Sequence, residues 1–146
     1  MILYLDTSAL VKCYVTEAGS VEINAVVEEA LLVGTVLISR VEMSAALAKA
    51  VRTGLLRRKE ARAVLEKFRA EWKDLVRIQA TDVLVNRADL IAWEHGLRGY
   101  DALQLTAAVV WQETLGEPVT FATYDENLRK AAAKEGLMPF PAWNAE

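Results

Sequence analysis

Short apolar runs alternate along the chain with longer stretches in which apolar side chains recur every three or four positions. The runs at residues 2–5, 35–38, 75–78 and 119–121 have the length and the β-branched or aromatic content of strands, and a weaker fifth lies at 137–139. They are nearly continuous in apolar character, as expected of parallel strands covered on both faces. Helical spacing marks residues 8–15, 20–32, 40–53, 59–73, 82–94, 100–114 and 125–134. Gly34, Gly54, Gly96, Gly116 and Gly136 each follow one of these stretches closely, the place of a helix C-terminal cap. This alternation predicts an α/β fold: a three-layer α/β/α sandwich around a central, mostly parallel sheet. With 146 residues and no repeat or linker, one domain over residues 1–146 is expected.

Composition narrows the class. Hydrophobic residues make up 53% and charged residues 25%, ordinary values for a soluble globular protein. Cys13 is the only cysteine, so no intrachain disulfide can form and a reducing compartment fits. The apolar N-terminus lacks a basic leader and is interrupted by Asp6, so it reads as a first strand rather than a signal peptide. No apolar run approaches membrane-spanning length. A cytoplasmic protein is expected.

The net charge of −3 argues mildly against nucleic-acid binding, but the charge is unevenly distributed. Between Lys49 and Lys73 nine basic residues face three acids, a local balance of +6 that leaves −9 on the rest of the chain. Such a segment can grip phosphates or an acidic partner. It can equally be a solvated helix face laced by pairs such as Arg62–Glu66 and Lys67–Glu71.

The same alternation gives four acids a common location. Asp6, Glu42 and Asp125 fall just after predicted strands, where the next helix opens, and Asp101 opens the helix at 100–114. In a parallel sheet those junctions share one rim, where ligands bind. Carboxylates gathered there repel one another unless a divalent cation holds them, and oxygen-only ligation suits Mg²⁺ or Mn²⁺. Local explanations compete. Ser39-Arg40-Val41-Glu42 and Thr123-Tyr124-Asp125-Glu126 both fit the capping box, and Asp101 or Asp125 could simply offset a helix dipole, worth ~0.3–1 kcal/mol. Asp6 is harder to dismiss, because it ends the most apolar strand, where an unpaired buried carboxylate is costly. Four such coincidences on one rim favour a metal site.

Other chemistries lack their parts. His95 is the only histidine, so a His-pair mechanism is excluded, and its place at a helix end suits contact with terminal carbonyls. Zinc-ligand spacing and a glycine-rich phosphate loop are both missing. Cys13, Trp93 and Trp111 lie within apolar helical patterns and are read as core. Asp6 has no acidic neighbour, unlike a receiver domain, and Ser8 stands where a haloacid dehalogenase-type phosphotransferase needs a second acid.

Leu5-Asp6-Thr7-Ser8-Ala9-Leu10-Val11-Lys12, Glu42 opening its helix, Leu97-Arg98-Gly99-Tyr100-Asp101-Ala102-Leu103-Gln104-Leu105 and Phe121-Ala122-Thr123-Tyr124-Asp125-Glu126-Asn127-Leu128 together resemble PIN-domain ribonucleases. Within that family the chain is most similar to the VapC toxins of type II toxin–antitoxin systems. Gln104 stands where such toxins commonly have histidine. The resemblance implies a metal-dependent endoribonuclease held in check by an antitoxin protein, with RNA as substrate, Mg²⁺ or Mn²⁺ as cofactor, and a homodimeric state. It maps Asp6, Glu42, Asp101 and Asp125 onto the family's acidic quartet, with Thr7 and Thr123 as hydroxyls beside it. It further implies that Asp6, Asp101 and Asp125 hold a water-activating ion, that Glu42 and Asp101 approach a second, and that Thr123 orients the attacking water or Asp125. Two readings stay beside it: an RNA-processing PIN nuclease without an antitoxin, and a catalytically silent PIN-like interaction module.

Overall fold

A computed structural model describes residues 1–142 of the chain. Five strands, β1 (Ile2–Leu5), β2 (Leu32–Val36), β3 (Val76–Ile78), β4 (Val119–Ala122) and β5 (Met138–Phe140), form a sheet in the order β3-β2-β1-β4-β5, and every neighbouring pair is parallel. The predicted sheet is thus found, with no antiparallel edge among the described residues. The helices are α1 (Thr7–Tyr14), α2 (Ser20–Glu29), α3 (Ser39–Arg52), α4 (Arg58–Glu71), α5 (Asp82–His95), α6 (Gly99–Leu115) and α7 (Glu126–Lys134).

Period-two alternation in β1 divides the core into two layers. Tyr4 faces α5, α6 and α7 with Leu105, Trp111, Phe121 and Leu128, whereas Leu3 and Leu5 face α1, α3 and α4 with Leu10, Met43 and Phe68. Helices on both faces make the expected three-layer sandwich. Because β2 and β3 extend the sheet on one side of β1 and β4 and β5 on the other, the order in which strands are added reverses at β1. The C-terminal ends of β1 and β4 therefore flank a topological switch point, where open α/β sheets place their ligands.

Some boundaries differ from the sequence reading. The strand expected at 35–38 is β2, Leu32–Val36, so Gly34 lies inside a strand rather than at a helix cap. Its hydrogen is needed for space: a Cβ there would sit 2.8 Å from the Trp111 ring. Trp93 is 91% exposed and packs no core, whereas Trp111 is buried as expected. Lys67 does not pair with Glu71 as helical spacing suggested. Tyr14 donates to Glu71 Oε2 at 2.6 Å, and Lys67 Nζ lies 5.9 Å from the Tyr14 ring.

Candidate active site

All four acids stand at helix N-terminal ends. Asp6 caps α1, Asp125 caps α7, and Glu42 and Asp101 lie in the first turns of α3 and α6. Each helix dipole favours negative charge at that end, so the fold itself helps to tolerate the cluster.

Asp6 is the buried centre, 4% exposed at the end of β1. Its Oδ1 accepts from Ser8 Oγ at 2.6 Å and from the Ala9 amide at 2.9 Å. Its Oδ2 accepts from Thr123 Oγ1 at 2.5 Å, a bond that ties β1 to the loop after β4. Thr123 in turn accepts from the Asp125 amide at 3.1 Å. Burial pushes the Asp6 carboxyl up to about 6; these hydrogen bonds hold it down against that, and the negative charge of Asp101 adds to the rise.

The local explanations for Glu42 and Thr123 do not hold. Ile38, not Ser39, occupies the N-cap of α3, with no side-chain cap. The Glu42 carboxylate instead accepts from Gln104 Nε2 at 2.8 Å. Likewise Asp125, not Thr123, caps α7, accepting from the Leu128 amide at 2.8 Å. Asp125, considered only as an offset to the helix dipole, thus caps the helix itself through Oδ1, while Oδ2 faces Arg98. Glu42 is raised by burial, lowered by bonds from Gln104 and Thr7, and raised by Asp101. Asp101 thus adds a smaller like-charge contribution to both Asp6 and Glu42.

Gln104, fully inside α6, organises the floor of the site. Tyr4 OH donates to its Oε1 at 2.7 Å and accepts from the Val36 amide at 3.1 Å, which fixes the amide's orientation. Nε2 then points at Thr7 Oγ1 (3.2 Å), Ser39 Oγ (3.0 Å) and Glu42. Ser39 meets Thr35 Oγ1 at 2.7 Å, and Thr35 donates to the Leu5 carbonyl at 2.7 Å. The network joins β1, β2, α3 and α6 beneath the acids. Over the acids lies Arg98, whose Nε donates to Asp101 Oδ2 at 3.1 Å and whose Nη2 lies 3.8 Å from Asp125 Oδ2.

Sequence reasoning passed over Gln104 as a neutral departure and did not single out Arg98. The signal for Gln104 was available: a polar residue on an otherwise apolar buried helix face needs partners, and partners imply a network. His95 Nε2 lies 2.6 Å from Glu135 Oε1, a side-chain contact between α5 and the end of α7 rather than one to terminal carbonyls.

The donor set fits a hard divalent cation. It consists of carboxylate oxygens only, one buried and raised, with a second raised acid beside a common third. Among the described residues, the group whose ligand atoms all fall within 4.8 Å of one another is a different one, Glu94, His95 and Glu135, closed by the His95–Glu135 contact. The quartet does not form such a close group.

The comparisons agree with this architecture. Ribonuclease VapC45 of Mycobacterium tuberculosis (strain CDC 1551 / Oshkosh) is 29% identical over 142 residues, covering 97% of this chain and 96% of its own. Among solved structures, FitAcB from Neisseria gonorrhoeae superposes with a TM-score of 0.65 at 16% identity, covering 99% of this chain and 100% of that one. VapBC2 from Rickettsia felis, bound to a DNA fragment from its promoter, gives 0.66 at 13% identity with the same coverage. At such identities the two structures speak for the fold. Residues 3–134 match the PIN domain, and the chain belongs to that family.

Proposed function

We propose that the chain is a cytoplasmic, metal-dependent endoribonuclease, a single nuclease domain over residues 1–146 acting as the toxin of a type II toxin–antitoxin pair. The observation that carries this reading is the convergence of Asp6, Glu42, Asp101 and Asp125 at the C-terminal edge of the sheet, beside its switch point. The 29% identity to a curated VapC ribonuclease over nearly the whole chain supports the activity, and the antitoxin partner follows from the resemblance to VapC toxins. No helix among the described residues is long and apolar enough to cross a membrane.

Mg²⁺ or Mn²⁺ held by these carboxylates would lower the pKa of a bound water and neutralise charge on the phosphoryl oxygens. The residues prepare that chemistry. Asp6, Asp101 and Asp125 are the proposed ligands of one ion, and Glu42 and Asp101 of a second. Thr123 is wholly buried and its hydroxyl donates to Asp6, so its role is to orient Asp6 and the backbone of Asp125 rather than to hold the attacking water. Gln104 fixes Glu42 in the same way. The N-termini of α1, α3, α6 and α7 add positive potential where a phosphodiester would lie.

The test is cleavage of cellular RNA by the purified protein with Mn²⁺ and with chelator, repeated after adding the product of a neighbouring small open reading frame. Metal-dependent cleavage suppressed by that product is expected. Cleavage without suppression would leave a processing nuclease, and no cleavage under any ion would leave an interaction module.

A further inference from the structure

Arg98 occupies a position that the energetics of its own helix do not explain. It is the N-cap of α6, where Ser, Thr, Asp or Asn would satisfy a free amide, and it makes no side-chain cap. Its positive charge also has the wrong sign for a helix N-terminus. The side chain is 82% exposed, so packing does not hold it either. What it does contact is a pair of acids from two different elements, Asp101 in α6 and Asp125 at the start of α7.

We propose that Arg98 is a tethered counterion that competes with the divalent metal for Asp101 and Asp125 and, once the metal takes those carboxylates, turns to grip an RNA phosphate. The inference rests on the reading of the acids as a metal site. An exposed guanidinium 3.1 Å from one carboxylate and 3.8 Å from another satisfies part of their charge. A divalent ion on the same oxygens places like charge beside it and expels it. Exposure leaves the long side chain free to swing, and the planar fork suits a phosphate as well as it suits a carboxylate. The same residue would thus hold the metal-free acids together and, once displaced by the ion, be free to meet the substrate.

The experiment compares wild type, Arg98→Gln and Arg98→Lys in Mn²⁺ titrations followed by calorimetry, and in steady-state cleavage of a random-sequence RNA oligonucleotide. Removing the competing charge should tighten Mn²⁺ binding about two- to fivefold, the range of an exposed ion pair. The same Arg98→Gln variant should raise KM for the RNA with a smaller effect on kcat. Arg98→Lys, which keeps the charge, should stay close to wild type in Mn²⁺ affinity. A merely structural role for Arg98 would not make metal binding tighter while substrate binding weakens. Unchanged Mn²⁺ affinity in Arg98→Gln overturns the counterion role, and unchanged KM overturns the phosphate contact. If wild type itself binds no Mn²⁺, the metal-site reading fails first, and that is seen before any substitution is made.

Discussion

Gln104 Nε2 donates to Glu42 Oε1 at 2.8 Å and, with Thr7, holds the carboxylate away from its own helix start. A glutamate in the first turn of a helix ordinarily reaches back to its own cap. Here it is drawn inward by an amide that is itself fixed by Tyr4. Replacing Gln104 by Leu removes the donor to Glu42 and the acceptor of Tyr4 OH, leaving buried polar groups unpaired at a cost of ~1–3 kcal/mol. Gln104→Leu should lower the melting temperature and nearly abolish cleavage. Gln104→His, which restores a ring N–H facing Glu42, should recover activity. Equal activity in the Leu variant would show that Glu42 needs no orientation from α6.

Asp6 gives the metal-free protein a pH dependence of defined sign. Its folded carboxyl lies at about 6, above the ordinary value of 3.8, so the folded state holds the proton more tightly than the unfolded chain does. Stability should therefore be greatest below pH ~4, fall as pH rises toward ~6, and stay at its reduced level above that. The shift corresponds to at most about 3 kcal/mol. Mn²⁺ selects the ionised form and should flatten or reverse this slope. Melts of wild type and Asp6→Asn from about pH 4 to about pH 8 would check it. The difference between the two should vary with pH in chelator, with Asp6→Asn relatively more stable at the upper end.

The basic segment resolves into a place on the surface. Arg57 is occupied by Glu60 at 3.1 Å, while Arg52, Arg58, Arg62 and Arg69 line a groove between α3 and α4 whose floor includes Leu47, Val51 and Leu65. If RNA follows this groove, Arg58→Glu with Arg62→Glu should weaken binding and reduce the salt slope by about 0.7 for each phosphate no longer neutralised. If the antitoxin lies there instead, RNA affinity should be unchanged and the complex with the antitoxin should fail to form.

Gly34 tests the packing of the two halves. A methyl group there meets the Trp111 ring at 2.8 Å, closer than carbon atoms approach, and both lie in the well-filled core between β2 and α6. Gly34→Ala should destabilise by ~1–3 kcal/mol, and Gly34→Ala with Trp111→Phe should recover part of that loss. A neutral single substitution would mean that β2 and α6 can move apart freely.

The sheet and its helices were legible because apolar runs and helical spacing report burial directly, and β1, α5 and β4 lie where the patterns put them. β2 was displaced because Leu31, Leu32 and Val33 continue the preceding helical pattern without a break, and only pairing with β1 turns Leu32 and Val33 into strand. Trp93 was misplaced because spacing cannot tell an exposed aromatic on α5 from a buried one. The common location of the four acids could be read from position, three of them just after a strand and Asp101 at the opening of α6. Their support could not, since Tyr4, Ser39 and Gln104 lie 35 to 100 residues apart and meet only once the sheet is built. The capping boxes misled for the same reason: Ser39 and Thr123 have the right local partners, but Gln104 and Asp6 compete for them from other elements.

The central claim is that Asp101 belongs to a metal site, and thermal melts of wild type and Asp101→Asn, each in chelator and in Mn²⁺, test it most directly. Asp101 adds negative charge beside Asp6 and Glu42, so in chelator the Asn variant should be as stable as wild type or more so. Wild type should gain about 2.7 kcal/mol at a hundredfold excess of Mn²⁺ over its Kd, and the variant much less. Equal gains in the two proteins, with a loss on substitution that ignores the ion, would contradict the account and reduce Asp101 to a helix-dipole residue.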